Sequence, residues 1–455
     1  MSGENNGVDR AALRHLGWSS AVAFATYGAG TAVTYLAQLV IARTVGAESY
    51  GIYSYVLAWI TILGYLAALG FDVSLLRLVP AYRTQGMFSL ARGVIQYAER
   101  RAAAMALGIA VSGMAVVWLL GGRQTTQLAE TFLIGFAVVP VLALLWIRAS
   151  VVRGFGGVLS ALAPDRLVRD GLLLLVISGL ALSGLAHIGA PTVMAVTLAS
   201  SLAGLALVTW NRRRRWLLPE DGTPPAYAKR EWRRTALPLV AIAVAEAAMN
   251  RTGVVSLGWA GHTADAGVYA MVFNVTSIVV LPRIAVNTRF APMVSEFFAQ
   301  KNQAGLQELI TRAASWTLIG AACMALPLFF LAAPVLSLFG PGFGEAVMPM
   351  RVLLVSQVIA AAAGSQIFLM TMTGQERSAA VVVVLAALGN FALAVPLIGL
   401  YGTTGAAIAN AITLLLWNCA MAALIYRNLG AVPGVLAAFR WRRQPAKRSN
   451  AVGIA

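Results

Sequence analysis

Long apolar runs recur along the whole chain, and they constrain its fold more than any other feature. Each run is close to the roughly 20 residues that a helix needs to cross a bilayer. The runs are continuously apolar, without the alternation of apolar and polar residues that a membrane β-barrel shows. Only 11% of the 455 residues are charged, about half of what a soluble domain carries. The sequence therefore predicts an all-α integral membrane protein.

Twelve transmembrane helices can be placed on the sequence. They are expected at residues 19–42, 51–75, 102–120, 129–150, 168–187, 190–210, 236–258, 267–290, 313–338, 346–372, 378–399 and 403–426. We expect five regions: a cytoplasmic N-terminus at 1–18, an N-terminal six-helix bundle at 19–210, a basic cytoplasmic linker at 211–235, a C-terminal six-helix bundle at 236–426 and a basic cytoplasmic tail at 427–455.

The basic residues predict the orientation of these spans. With the N-terminus inside, 28 of the 34 Lys and Arg residues fall in cytoplasmic segments and 2 in outer loops. The remaining basic residues lie in or at the ends of spans. Positive residues favour the cytoplasmic side, so the sequence predicts a multi-pass membrane protein with both termini cytoplasmic. The strong excess of Arg over Lys indicates a bacterial genome, so the expected location is the bacterial inner membrane. The net charge of +17 then indicates contact with anionic membrane lipids, and no nucleic acid is expected as a partner.

Short internal repeats indicate two related halves. Gly51-Ile52-Tyr53 and Gly267-Val268-Tyr269 open the second and eighth spans, and Arg77-Leu78-Val79-Pro80 and Arg289-Phe290-Ala291-Pro292 close the same two spans. The intervals between the copies agree to within about one helical turn. Six spans separate the copies, so both halves have the same orientation. The repeat predicts two six-helix halves related by a parallel pseudo-two-fold axis along the membrane normal.

Ionisable residues inside the seventh and eighth spans are the first candidates for a functional site. Glu246 and Arg251 lie in the seventh span, Arg283 and Arg289 in the eighth. A charge deep in a bilayer costs about 2.5–3.5 kcal/mol, so such residues normally face a bundle interior or an aqueous cavity. Asn250 shares a helix face with Glu246. Because guanidinium groups suit phosphate and carboxylate, these residues predict a cavity for an anionic ligand. The alternative is an internal ion pair between Glu246 and an arginine.

Further candidates lie at the inner ends of the second and eighth spans. Asp72 is either an ion-coupling site or the partner of Arg77. Pro80, Pro282 and Pro292 are candidate hinges, because proline interrupts the helical hydrogen bonds. Other polar side chains that could line the same cavity are Tyr35, Gln38, Gln357 and Gln366.

No motif for catalysis is present in the sequence. It contains no Gly-x-Ser-x-Gly, no His-Glu-x-x-His and no phosphate-binding Walker pattern. Cys323 and Cys419 are isolated and have no metal-ligand spacing. We therefore expect a transporter and not an enzyme, with no catalytic residues, no metal and no cofactor.

Several stretches together resemble a known family. Residues 41–53, Ile-Ala-Arg-Thr-Val-Gly-Ala-Glu-Ser-Tyr-Gly-Ile-Tyr, are similar to the A-R-x-L-G-x-x-x-Y-G-x-Y pattern of the polysaccharide transporters, the Wzx-type flippases of the multidrug/oligosaccharidyl-lipid/polysaccharide (MOP) exporter superfamily. Further similar stretches, in the same order as in that family, are Leu69-Gly70-Phe71-Asp72, Arg77 to Pro80, Gly267-Val268-Tyr269, Ala291-Pro292, Thr373-Gly374-Gln375-Glu376, Gly389-Asn390, Pro396 and residues 401–407.

The resemblance implies a V-shaped, alternating-access flippase. Such a protein moves undecaprenyl-diphosphate-linked oligosaccharide to the outer leaflet for capsule, exopolysaccharide or O-antigen (lipopolysaccharide) synthesis, driven by an H+ or Na+ gradient or by the membrane potential. Its partners would be a polysaccharide polymerase and glycosyltransferases. One departure is Asn250, which stands where the family often has an acidic residue before the basic one, here Arg251.

Two alternatives remain open at this stage. A multidrug/cation antiporter of the same superfamily would need acidic residues in its lumen, for which Asp72 and Glu246 are the candidates. A membrane polysaccharide polymerase or ligase would need a sizeable outer loop with catalytic charges, and the predicted outer loops are short.

Overall fold

The computed structural model describes residues 5–120, 125–184, 188–215, 224–435 and 437. Within these ranges the chain is helical and contains no strand, as the uninterrupted apolar runs predict. The α-helices are α1 (Asn5–Ala68), α2 (Phe71–Thr84), α3 (Phe88–Leu120), α4 (Thr126–Gly154), α5 (Val158–Ala163), α6 (Asp170–Ser183), α7 (Ala190–Arg215), α8 (Lys229–Trp259), α9 (Thr263–Thr276), α10 (Leu281–Ala299), α11 (Gln303–Phe330), α12 (Ala332–Ser337), α13 (Val347–Ala363), α14 (Gln366–Met372) and α15 (Glu376–Leu429).

Two of the long helices are folded back on themselves at a glycine. α1 turns at Gly46, with a φ of 75°, and α15 turns at Gly402, with a φ of 56°. These are left-handed conformations that glycine adopts without a Cβ penalty. The Tyr50 hydroxyl donates to Gln38 Oε1 at 2.8 Å, although residues 12 apart in a straight helix would be about 18 Å apart. α1 is therefore a hairpin of two membrane-spanning arms.

The number of spans follows from these turns. Nine helical stretches of the described chain are long and apolar enough to cross a membrane. Dividing α1 at Gly46 and α15 at Gly402 adds two spans. The twelfth is the continuous helical run made by α5, a π-helical turn at Pro164–Arg169 and α6. The fold thus contains the twelve predicted spans, although the fifth begins about ten residues earlier than expected.

The two halves repeat the same internal contacts. In the N-terminal half (α1 to α7), the buried Tyr53 hydroxyl lies 3.2 Å from Thr197 Oγ1 in α7. In the C-terminal half (α8 to α15), the equivalent Tyr269 hydroxyl lies 3.5 Å from the Ala406 carbonyl, in the second arm of α15. α7 and that arm are the last spans of their halves, so the predicted repeat is present in three dimensions. Between the halves, residues 216–223 of the predicted linker lie outside the described chain.

The halves are closed together at one end, which we call the Gly51 end and which the charge distribution predicts to be the outer one. Gly51 packs against the Thr263 carbonyl and Gly267, and Gly258 packs under the Tyr55 ring. Tyr50 lies edge-on to Phe343, with ring centroids 6.1 Å apart. The absence of side chains at the three glycines is what permits this close approach.

Away from the Gly51 end, the first turn of α8 packs on the N-terminal half. The fully buried Trp232 donates its indole N–H to the Tyr82 hydroxyl at 2.9 Å. The Ala226 N–H donates to the Ser89 carbonyl at 3.0 Å. These contacts anchor the start of α8 to α2 and α3, so this helix bridges the two halves.

Candidate substrate cavity

Helix α8 carries the central residues of the predicted site and packs against α15. Asn390 and Asn410 lie on the two arms of α15, and their side-chain amides approach the Met249 carbonyl at 3.1 and 3.5 Å. Asn390 is only 1% exposed. Buried amides need hydrogen-bond partners, so these contacts fix the position of α8 two residues before Arg251.

Arg251 lies at the boundary between the two halves and faces tyrosines. It is half-buried, and its electrostatic neighbours are Tyr50, Tyr65 and Tyr53, all in the second arm of α1. Within the described residues, no carboxylate pairs with Arg251 and no hydrogen bond to it is present. A buried cation without an opposite charge is costly, so this position suits an anion that enters from outside the chain.

The surroundings of Arg251 also contain a buried hydroxyl without a partner. The Tyr35 hydroxyl is shielded from solvent and has no hydrogen-bond partner in the described structure. It lies close enough to Tyr50 to interact with it electrostatically, and Tyr50 is in turn a neighbour of Arg251. Tyr35 and Gln38 are among the residues expected to line the cavity, but their proximity to Tyr50 could not be predicted because it depends on the hairpin at Gly46.

Glu246 and Arg283 face each other across the C-terminal half. Each is the charged neighbour of the other, and both are half-buried. The two predicted cations therefore differ among the described residues: Arg283 has a carboxylate as an electrostatic neighbour, without an ion pair to it, whereas the electrostatic neighbours of Arg251 are tyrosine hydroxyls. The internal Glu–Arg pair and the anion site both stay predictions, the first most relevant to Arg283 and the second to Arg251.

Three other residues belong to the predicted site. Asn250 is exposed on α8, next to Arg251. Arg289 and Pro292 are part of the α10 backbone, but their side chains are outside what the structure describes. Their proposed roles in ligand binding and hinge motion stay predictions.

The structure does not bring Asp72 and Arg77 together. Asp72 lies in the first turn of α2, near the positive end of the helix dipole. Its Oδ1 atom is buried and has no hydrogen-bond partner among the described residues. Arg77 is exposed, and no ion pair between the two is present among the described side chains. Side chains five residues apart on one helix point to different faces, which keeps the two apart.

The helix breaks do not coincide with the prolines that were predicted as hinges. Pro80 lies within the continuous helix α2, and the chain breaks about ten residues earlier, at Leu69 and Gly70, with φ values of 55° and 72°. Pro282 is nearer to a break, because the 3-10 turn Ser277–Val280 separates α9 from α10 just before it. The interval from Leu69 to Leu281 equals that from Arg77 to Arg289, so the two breaks occupy equivalent places in the repeat.

A buried charge network in the N-terminal half was not predicted from the sequence. Asp170 is 4% exposed and accepts from Thr34 Oγ1 and from Arg169 Nε, the latter at 2.9 Å. Arg169 also pairs with Asp165 at 2.7 Å. The missed signal was the Asp165-Arg166-x-x-Arg169-Asp170 pattern, which was assigned mostly to a cytoplasmic loop.

Proline explains why this network sits on a π-helical turn. Pro164 has no N–H, so the Ser160 carbonyl loses its usual partner four residues ahead. The Asn211 side-chain amide of α7 donates to that carbonyl at 3.2 Å instead. Gly204 of α7 comes close to the Pro164 carbonyl, where a Cβ would stand 2.9 Å away. The widened turn that results is a feature often found at functional sites.

Comparison with solved structures shows which known proteins share this fold. No protein-family model matches the chain, and no curated protein matches it. Solved structures, in contrast, match the chain over most of its length. An inward-facing multidrug resistance MATE family transporter of the MOP superfamily superposes with a TM-score of 0.69 and 13% identity, covering 91% of this chain and 96% of that one. The chain has the fold of the MATE transporters of the MOP superfamily.

Two further solved structures show the same fold. The MATE multidrug transporter DinF-BH, solved as a complex, has a TM-score of 0.64 and 18% identity over 91% of this chain and 95% of that one. An outward-facing MATE family transporter has a TM-score of 0.63 and 15% identity over 88% and 93%. At these identities the likeness concerns the fold.

Proposed function

We propose that this protein is a flippase that moves a diphosphate-linked oligosaccharide lipid from the inner to the outer leaflet of the bacterial cytoplasmic membrane. The observation that carries the proposal is Arg251, a half-buried cation between the two halves with tyrosines and no carboxylate as neighbours. A diphosphate would supply the missing negative charge. The guanidinium fork can hold two phosphate oxygens at once, and the surrounding hydroxyls can donate to the others.

The closed Gly51 end supports a transport cycle in which the two halves rock about α8. The diphosphate would reach Arg251 from the inner side, while the lipid chain stays between helices in the bilayer. Opening of the Gly51 end would then expose the same site to the outer leaflet. An H+ or Na+ gradient or the membrane potential would drive the cycle, with Glu246 as the candidate for an ion-sensitive carboxylate because Arg283 is its charged neighbour.

The test uses cells that lack this protein and carry a plasmid copy of it. We expect complete, unpolymerised lipid-diphosphate oligosaccharide to accumulate on the inner leaflet with an Arg251→Ala copy, and surface polysaccharide to fall. The matched control is Arg351→Ala, which removes a half-buried arginine that packs over the Phe329 ring at 5.1 Å in the same half of the molecule. Normal surface polysaccharide from an inserted Arg251→Ala protein would contradict the proposal.

A multidrug antiporter is the second candidate, and the fold comparison favours it. The solved structures with the same fold that are described above are multidrug transporters. Glu246 would then bind an organic cation after leaving Arg283. The same cells distinguish the two functions, because loss of an antiporter raises sensitivity to toxic cations and leaves the lipid-linked oligosaccharide on its normal leaflet.

Glycosyltransferases and a polymerase remain proposed partners, since a flippase must receive its cargo from the glycosyltransferases and deliver it to the polymerase. A polymerase or ligase activity of this chain itself is disfavoured by its outer connections. Those that the structure describes are turns at Gly46, Gly261 and Gly402 and the short segment around Phe343. If the units reached the outer leaflet without this protein but stayed unpolymerised, that enzyme activity would replace the flippase proposal.

A further inference from the structure

We propose that Tyr65 and Trp146 form a platform that binds a sugar ring of the cargo, next to the phosphate site at Arg251. This inference rests on the proposed function and adds the part of the substrate that this cavity would recognise. The two rings stack with centroids 4.5 Å apart and an interplanar angle of 23°. Of the ring pairs described in the structure, this one is the most closely stacked.

The platform is built into the N-terminal half, on α1 and α4, and is close to Arg251. Gly64 lies under the indole of Trp146, where a Cβ would stand 3.0 Å from its Cζ3 atom. Both aromatic side chains are half-buried, which leaves part of their surface uncovered. Tyr65 is also one of the electrostatic neighbours of Arg251. The stack is thus joined to the anion site through Tyr65.

Depth along the helices places charged residues at a level similar to that of this platform. Tyr65 lies 14 residues beyond Gly51, or about 21 Å from the closed end at 1.5 Å per residue. Glu246 precedes Gly258 by 12 residues, about 18 Å, and Arg283 follows Gly267 by 16 residues, about 24 Å. Arg251 is nearer to the closed end, at about 10 Å. The stacked aromatic pair and the charged residues Glu246 and Arg283 therefore lie at a similar depth, with Arg251 nearer to the closed end.

This combination of groups is suited to a sugar attached to a diphosphate. The face of an aromatic ring is negative, so it attracts the weakly positive C–H groups on the face of a pyranose ring. Glu246 and Arg283 provide acceptors and donors for the hydroxyl groups at the ring edge. A site of this type is mostly apolar with a few polar groups that orient the ligand. Because the sugar is bonded to the diphosphate, both parts can be bound together.

The experiment measures binding to the purified full-length protein in nanodiscs. The probes are farnesyl diphosphate and the same lipid carrying an N-acetylglucosamine disaccharide. We expect the disaccharide to raise affinity, and Trp146→Ala to remove about three- to tenfold of that gain while the affinity for farnesyl diphosphate stays the same. Trp146→Phe, which keeps a stacking ring, should retain most of the gain and serves as the variant if Trp146→Ala fails to fold.

The matched control is Trp259→Ala, because Trp259 also stacks on an aromatic ring, Phe391 at 5.9 Å, but at the Gly51 end. Equal affinity of both probes for the wild type, or equal loss with Trp259→Ala, would overturn the sugar platform. If neither probe bound to the wild-type protein, the proposed function would be overturned instead. A planar rhodamine cation serves as a competitor of the diphosphate probes. If its competition depended on Trp146 while the disaccharide did not change affinity, the platform would be assigned to organic cations and the sugar proposal would be overturned.

Discussion

Gly51 and Gly267 pack directly against each other between the two halves: a Cβ on Gly267 would stand 2.7 Å from the Gly51 Cα. The two glycines are far apart in the chain and occupy the same position in the repeated Gly-x-Tyr motif. Residues related by a two-fold rotation contact each other only near the rotation axis. This glycine pair therefore lies where the pseudo-two-fold axis passes through the closed end.

Gly51→Ala should open that end. The added Cβ would collide with the Thr263 carbonyl, and overpacking of this type costs about 1–3 kcal/mol. We expect a longer distance between spin labels at Glu48 and Glu345, measured by pulsed electron paramagnetic resonance. Gly399→Ala is the control, because a Cβ there would meet no atom within 4 Å. An unchanged distance in Gly51→Ala would show that the glycine contact does not hold the halves together.

Glu246 and Arg283 should be energetically coupled. Replacing either residue by Gln leaves the other charge half-buried without its neighbour, and removal of both relieves that cost. A double-mutant cycle on thermal unfolding in detergent should give a coupling of about 0.5–3 kcal/mol. The same cycle between Glu246 and Arg351 is the control and should be close to zero. Additive effects of Glu246→Gln and Arg283→Gln would contradict the pairing.

Asn390→Ala should destabilise the support behind the cavity. The buried amide donates to the Met249 carbonyl. Loss of such a hydrogen bond leaves the carbonyl without this partner and lowers the free energy of unfolding by about 1–3 kcal/mol. We expect a lower midpoint of unfolding and weaker binding of farnesyl diphosphate, because Arg251 follows Met249 by two residues. Asn418→Ala, whose amide bonds only to Leu414 of its own helix, should leave binding intact. Equal effects of both variants would argue against this positioning role.

Asp170→Asn should strongly destabilise the N-terminal half. It removes the charge that Arg169 and Thr34 contact in a buried site, and breaking a buried pair costs about 3 kcal/mol or more. The measurement is the unfolding midpoint in detergent. Glu308→Gln breaks a pair with Arg312 that is exposed to solvent, where about 0–1 kcal/mol is expected. Similar losses from both changes would indicate that the Asp170 network is not a buried structural unit.

The sequence alone determined the class of fold, the twelve spans and the two related halves. Each span is a local property, because the cost of placing residues in lipid accumulates residue by residue along one helix. Arg251, Arg283 and Glu246 were identified as unusual on the same local ground. The repeat could be recognised in the sequence because Gly51 and Gly267 must both lack a side chain where the halves meet.

The tertiary structure decided which of these residues meet, because partners far apart in the chain come together only through packing. It separated Arg251, surrounded by tyrosines from α1, from Arg283, which faces Glu246. It left Asp72 without an ion pair to Arg77, and it placed a break at Gly70 where α8 packs too closely for a side chain. None of these outcomes depends on local hydropathy. Each follows from how helices distant in sequence approach one another, so no single stretch of the chain encodes it.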